Sequence, residues 1–413
     1  MPELKARQKL NWLFILAASI WLSGCSERSV TEKPFEQSLQ FSVFSPVPLD
    51  AAELQNVSSF DVYVDRQTIH AVFTATGNDA GQPLIAYLHS EDAGRHWSAP
   101  LEIGKQFNLP VESKAGNDIQ IAATANNLLI IWQTTGEIPG MGPLVTVYST
   151  DGGKSWRKGA NPMVSDTDQS HPDLAADEQG NFHLVWLDDR DENGYQGVRY
   201  ARSRDAGQHW EAQQTLDDSS CSCCWNRLSL SGPGTVSVLY RDMEPRDMAL
   251  AQSVDAGQSW QRVSTVGDFN WQFNGCPHNG GGLTQTGDDV HSVVWTGAEN
   301  RTGLYHMHSM DAGLTWGAPQ SVGTGTGAFH SDIAALDDNR LAVIWEAMGP
   351  EGSAVLFANS SDNGGTWSTA HTLSTPGLSA LFPRLVASGS GWLAMWMEQK
   401  SKTSKQWLAA VIQ

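Results

Sequence analysis

Positive charge is scarce in this 413-residue chain: 26 Lys and Arg stand against 45 Asp and Glu, for a formal net charge of −19. No basic run follows the first ten positions, which argues against a nucleic-acid partner. Charged residues reach only 17% and apolar ones 40%, a balance that excludes a disordered acidic tail. The apolar run near the start, Trp12 to Leu22, is too short to cross a bilayer core of ~30 Å as a helix. What is plentiful is Gly, at 39, and Trp, at 17. Glycine-rich turns between Trp-bearing segments point to an all-β chain.

Residues 1–24 read as a secretory signal: Lys5, Arg7 and Lys9 precede the apolar run, which ends in Leu22-Ser23-Gly24-Cys25. That ending resembles the lipobox of bacterial lipoproteins. The resemblance implies cleavage before Cys25 and a lipid on its thiol, an anchor worth roughly 0.8 kcal/mol per buried methylene. Ser26 in place of Asp after the cysteine implies sorting to the outer membrane. Residues 25–38 are then a lipidated tether, and 39–413 a single folded domain.

One short pattern occurs six times. It reads Ser90-Glu-Asp92-Ala-Gly94-Arg-His-Trp97 at its first occurrence and Ser360-Ser-Asp362-Asn-Gly364-Gly-Thr-Trp367 at its last. Its aspartates, Asp92, Asp151, Asp205, Asp255, Asp311 and Asp362, are 59, 54, 50, 56 and 51 residues apart. The physics is that of a hairpin turn. Asp accepts backbone N–H bonds across the turn, Gly supplies positive φ, and Trp folds back as an apolar plug. These aspartates are structural rather than catalytic.

Between the turns lie seven pairs of extended segments, from Phe60–Phe73 to Arg384–Trp396. After the seventh pair only Gln406 to Ile412 remains, and Leu39 to Phe44 is free to supply the missing outer strand. The expectation is a β-propeller of four-stranded blades, seven preferred and six as the alternative, its ring closed by the N-terminal strand.

The Ser-x-Asp-x-Gly-x-Thr-Trp repeat resembles the Asp-boxes of the sialidase (neuraminidase) superfamily, over roughly residues 59–413. An active sialidase of that family implies an arginine triad, one arginine lying in an Arg-Ile-Pro segment, with a Tyr–Glu nucleophile pair and an Asp acid/base. No Arg-Ile-Pro occurs, and residues 39–65 contain no arginine. The register of the repeats gathers charged strand ends at the end opposite the Asp-boxes. There Arg190, Arg241 and Arg384 are candidates for an anion clamp, Asp188 or Glu346 for an acid/base, and Tyr240 with Glu346 for nucleophile and activator.

Four cysteines remain after Cys25. Cys221, Cys223 and Cys224 lie in Ser220-Cys-Ser-Cys-Cys-Trp-Asn226, and Cys276 lies in Asn274-Gly-Cys-Pro-His-Asn-Gly-Gly281. Both segments enter inner strands of neighbouring blades, so they should meet. Three readings stay open: one or two disulfides, a Cu or Zn site that adds His278, with His171, His330 or Met243 as further ligands, or a redox-active thiol.

Three functions follow: a membrane-anchored propeller binding a glycan, anion, metal or envelope protein in a Cys-flanked funnel; an exo-α-sialidase or related glycosidase; or an assembly factor without a small-molecule site. The missing Arg-Ile-Pro favours binding over hydrolysis, and the cysteine-flanked acidic funnel favours binding over scaffolding alone.

Overall fold

The computed structural model describes residues 39–413 apart from 48–55, 76–82, 104, 108, 112–118, 135, 137–140, 164–168, 189–195, 324–326, 351 and 402–403. The leader, Cys25 and the tether therefore lie outside the described residues. Among those described, the strands form seven antiparallel four-stranded sheets, and the helical element is one 3-10 turn at Lys105–Phe107. No described helix is long and apolar enough to cross a membrane.

Each sheet is a blade. The innermost strands are Val57–Asp65, Ile119–Thr124, Gln169–Ala176, Arg227–Ser231, Gly281–Thr286, Ala328–Ala335 and Ser379–Ser388, numbered here as blades 1 to 7. The fourth strand of blade 7 comes from the other end of the chain. Phe41–Phe44 pairs with Ser404–Ile412 in the register Phe41↔Ile412, which closes the ring with seven blades rather than six.

Why these segments are strands follows from where they sit. The second strand of blade 2, Asn127–Gln133, reads Asn-Leu-Leu-Ile-Ile-Trp-Gln and is buried on both faces between its neighbours. A strand sandwiched in this way carries a continuous apolar run rather than an alternating one. The rim strand of the same blade, Arg157–Lys158, is exposed throughout. At the closing seam Trp407 packs 5.3 Å from both Phe60 and Phe73 of blade 1, centroid to centroid. Burial of each such ring contributes roughly 1.5–3 kcal/mol.

The six repeated turns behave as their chemistry dictates. In the second, Ser149 Oγ donates to Asp151 Oδ1 at 2.7 Å and accepts from Gly153 N at 2.9 Å. Ser155 N donates to Asp151 Oδ1 at 2.9 Å, and Trp156 Nε1 closes the turn on the Gly153 carbonyl at 3.0 Å. The Ser155 hydroxyl, first among several donors, lowers the Asp151 carboxyl to about 2. A carboxylate so occupied is a fastener, as expected.

Blades are also stitched near the axis by inner-strand aspartates. Asp61 accepts from Ile121 N of blade 2 at 3.0 Å, and Asp332 accepts from Leu385 N of blade 7 at 3.1 Å. Asp173 accepts from Leu228 N of blade 4 in the same manner. Burial raises all three carboxyls above their ordinary value. Two arginines answer them: Arg227 lies 3.5 Å from Asp173 and 3.8 Å from Asp332, and Arg384 lies 2.8 Å from Asp61.

Candidate functional site

At the end of the blades opposite the repeated turns, three inner strands carry a β-bulge at the same place. The register slips between Ser170 and Asp173, between Phe329 and Asp332, and between Leu381 and Arg384. The bulged residues His171, His330 and Phe382 take φ of 50°, 47° and 53°. Bulges re-aim side chains, and these three converge on one indole. Trp225, from the loop entering blade 4, lies 5.0 Å from His171, 5.0 Å from His330 and 6.3 Å from Phe382. Rings from blades 3, 6 and 7 thus meet a tryptophan from blade 4, so Trp225 lies across the axis. Its Nε1 is buried and has no hydrogen-bond partner. Its position in the sequence carries no periodicity, and the sequence gives no other signal of this role.

The cysteines are built around that indole. Cys221, Cys223 and Cys224 are buried and unbonded, with Cys221 Sγ 3.6 Å from Cys223 Sγ and 3.1 Å from Cys224 Sγ. Cys276 and His278, both exposed, belong to the loop entering blade 5. The donor atoms of Cys223, Cys276 and His278 lie within 4.8 Å of one another, as do the three sulfurs of the Cys221 loop. Cys223 is common to both groups. The meeting of the two loops read from the repeat register is therefore observed, while a disulfide is not. All four cysteines are free thiols at these separations.

The loops are held rigidly. Arg241, 2% exposed, gives Nε to the Asn279 carbonyl at 2.9 Å and Nη2 to the Trp295 carbonyl at 3.0 Å. Its own carbonyl accepts from Cys221 N at 2.9 Å, so one residue ties both cysteine loops. Arg246 Nε donates to the Phe273 carbonyl at 3.0 Å. Gly280 passes so near Trp225 that a Cβ there would sit 2.6 Å from the Trp225 carbonyl oxygen, which leaves room only for glycine.

The electrostatics of the thiols follow from this packing. Hydrogen bonds from the Cys223 and Cys224 thiols push Cys221 down, with Arg246 helping, whereas burial pushes Cys224 up. The trio thus favours one thiolate accepting from two thiols. Burial lowers His171 to about 4, and its Nδ1 is buried without a partner. At neutral pH His171 is an uncharged imidazole beside the cluster.

Among the described residues, those expected for sialate hydrolysis are not brought together. Arg190 lies outside the described residues. Arg241 is spent on backbone carbonyls and Arg384 on Asp61, and the two share no partner. Tyr240 donates to Asp217 at 2.7 Å, and burial raises its phenol. Glu346 instead meets His330 Nδ1 at 2.9 Å and Phe382 N at 3.4 Å, so the expected Tyr240–Glu346 pair does not form. Asp188 is fully buried, 3.4 Å from Trp186 Nε1. The charges at these strand ends include Arg241, Arg384 and Asp332, which turn into the seams between blades.

Comparison with known proteins agrees with this picture. The sequence matches the BNR repeat-like domain over residues 52–274. No curated protein sequence matches it. Among solved structures, an ulvan lyase of polysaccharide lyase family PL25 superposes with a TM-score of 0.54 at 11% identity, covering 89% of this chain and 93% of that one. YCF48 bound to D1 peptide superposes with a TM-score of 0.51 at 15% identity, over 90% and 94% of the two chains. The Hadza microbial sialidase Hz136 gives 0.51 at 13% identity, over 74% and 66%. At these identities the likeness is one of fold. With more than half its length matched and seven blades in place, six of them carrying the repeated turn, the chain belongs to the BNR repeat-like domain family.

Proposed function

We propose that this protein is a lipid-anchored envelope protein whose propeller captures a soft metal ion, Cu(I) or Zn(II), in the thiol cluster beside Trp225. The observation that carries the reading is the arrangement of donors: three sulfurs within 4.8 Å of one another, and a second set of Cys223, Cys276 and His278 sharing one of them. An ion with bonds of ~2.3 Å to sulfur needs its ligand atoms about 3.8–4.0 Å apart. The 3.6 Å between Cys221 and Cys223 is close to that. Thiolates select soft ions, and the partnerless His171 Nδ1 supplies a further donor near the cluster. The anchor at Cys25 would hold the site at the outer membrane, where soft metals reach the envelope before the cytoplasm. Hydrolysis of a sialoside is not supported, because among the described residues Tyr240, Glu346, Arg241 and Arg384 are engaged elsewhere.

The 3.1 Å approach of Cys221 to Cys224 favours one second reading. In an oxidised protein those two form a disulfide, and Cys223, Cys276 and His278 remain as the ligand set.

Protein purified from the envelope without chelator is measured for metal content and for intact mass, with and without reductant. The proposal expects one equivalent of Cu or Zn that is lost in Cys223→Ser, over and above any metal held elsewhere in the protein. A mass lower by one hydrogen pair with metal retained selects the second reading. Four free thiols without metal, or two disulfides without metal, overturn the proposal.

A further inference from the structure

The repeats supply their own control for a second site, at the other end of blade 5. In blades 1, 3 and 5 a second-strand histidine faces a third-strand ring, and the next blade's Asp-box tryptophan packs on that ring. In blade 1, His70 Nδ1 meets the Tyr87 hydroxyl at 2.8 Å, and Tyr87 packs 5.4 Å from Trp156. In blade 3, His183 Nδ1 meets the Tyr200 hydroxyl at 2.7 Å, and Tyr200 packs 4.6 Å from Trp260. These are structural staples: a buried imidazole satisfied by a phenol.

Blade 5 keeps the slot and changes its chemistry. The phenol is replaced by His306, whose Nε2 lies 3.1 Å from His291 Nδ1, with Trp367 packed 5.0 Å away. The cross-strand partner of His291 is His308; blade 1 likewise pairs His70 with His89, and blade 3 pairs His183 with Arg202. The two blade 5 rings stack with centroids 4.2 Å apart. Two positions before His291 stands Asp289, where blades 1 and 3 have Thr68 and Asn181. Asp289 Oδ1 lies 2.7 Å from His308 Nε2. Only in blade 5, among these three, do a carboxylate and two imidazoles place their donor atoms within 4.8 Å of one another. A cavity of about 610 Å³ opens beside them, lined by His306, His308, Met310, Trp316 and Gln320.

We propose that Asp289, His291 and His308 form a second metal site, for a divalent first-row transition ion of the Zn(II) type. Two imidazoles and one carboxylate suit a borderline ion such as Zn(II), and exclude the Cu(I) that the thiolates also accept. Three protein ligands leave a coordination position open, and the cavity beside His308 gives water or a small oxygen-donor ligand access to it. His306 is a positioning residue: its contact with His291 Nδ1 leaves the other nitrogen of His291 as the ligand atom. On binding, the metal takes the place of the hydrogen bond between His308 Nε2 and Asp289, and the neutral His308 ring keeps its one proton on Nδ1. The site stands apart from the thiol cluster and does not depend on it.

Cobalt(II) separates the two sites, because thiolate ligands give sulfur-to-metal charge transfer in the near ultraviolet and this ligand set does not. The reduced full-length protein is titrated with CoCl₂, with Asp289→Asn, His308→Gln and Cys276→Ser in parallel. Circular dichroism and the thermal midpoint without metal establish that each variant is folded. The expected result is one equivalent whose d–d bands appear without sulfur charge transfer, separate from any charge-transfer band that the thiol cluster contributes. Its affinity falls at least tenfold in Asp289→Asn and in His308→Gln, and is unchanged in Cys276→Ser. Either Asp289→Asn or His308→Gln, folded and binding Co(II) as the parent does, overturns the site. Loss of charge transfer in Cys276→Ser alone bears on the thiol cluster and leaves this site standing.

Discussion

Arg384 of blade 7 and Asp61 of blade 1 meet at 2.8 Å across the seam where the ring closes, with side chains 8% and 2% exposed. A buried ion pair adds little over an apolar pair of the same shape, but removing one partner strands the other charge. Arg384→Leu should therefore destabilise the protein by about 3–5 kcal/mol. The double change with Asp61→Asn should recover most of that loss, because Asn keeps an acceptor for Ile121 N. Denaturant unfolding of the two variants measures this. A loss below about 1 kcal/mol for Arg384→Leu would place the pair among exposed bridges of negligible weight.

Acid should loosen blade 1 through His70. Burial, with His89 adding to it, lowers the His70 imidazole from 6.5 to about 4, and its Nδ1 is engaged by Tyr87. The folded state thus resists a proton that the unfolded chain accepts. The stabilisation is complete above pH 6.5 and is lost as the pH falls toward 4, by on the order of 2–3 kcal/mol. In His70→Gln, unfolding free energy measured from pH 7 to 4 should fall less steeply by that amount. Parallel curves for parent and variant would refute the assignment.

Two glycines with the same backbone should respond differently to alanine. Gly180 has φ of 90° and nothing within 4 Å of an added Cβ, so Gly180→Ala carries only backbone strain, about 1–2 kcal/mol. Gly257, at φ 84°, would drive that Cβ into the Tyr200 hydroxyl. Gly257→Ala should lose a further 1–3 kcal/mol or so. Thermal midpoints of the two variants test the difference, and equal shifts would mean that the Tyr200 ring swings away freely.

A fluorogenic sialoside should be hydrolysed no faster by this protein than by buffer. Tyr240 is committed to Asp217 and Glu346 to His330, so the expected nucleophile and activator are apart. Turnover that Glu346→Gln abolishes would reverse this conclusion.

Blade number and ring closure were legible because turns recur at fixed chemistry. Asp and Gly are demanded by the hairpin itself, and the leftover strand Phe41–Phe44 had one vacancy to fill. The encounter of Cys276 with the Cys221 loop was legible for the same reason, being a consequence of register. The arginines were not. Arg241 and Arg384 stand at strand ends like any site residue, and only packing decides that one caps carbonyls while the other closes a seam. Trp225 was missed because a loop has no period, and the bulges at His171, His330 and Phe382 that aim rings at it leave no mark in the alternation of side chains. The blade 5 cluster hid because His291 and His308 lie seventeen positions apart and meet only through strand pairing.

Pairing Phe41 with Ile412 also sets a schedule for biogenesis. The outer segment must wait for a partner made much later in the chain. Six blades can form hairpin by hairpin as the chain is made, yet the circle stays open until Ser404–Ile412 arrives. During that interval the last blade exposes an unpaired edge to whatever else is extended nearby, so the emerging protein is most vulnerable to aggregation just before it is finished.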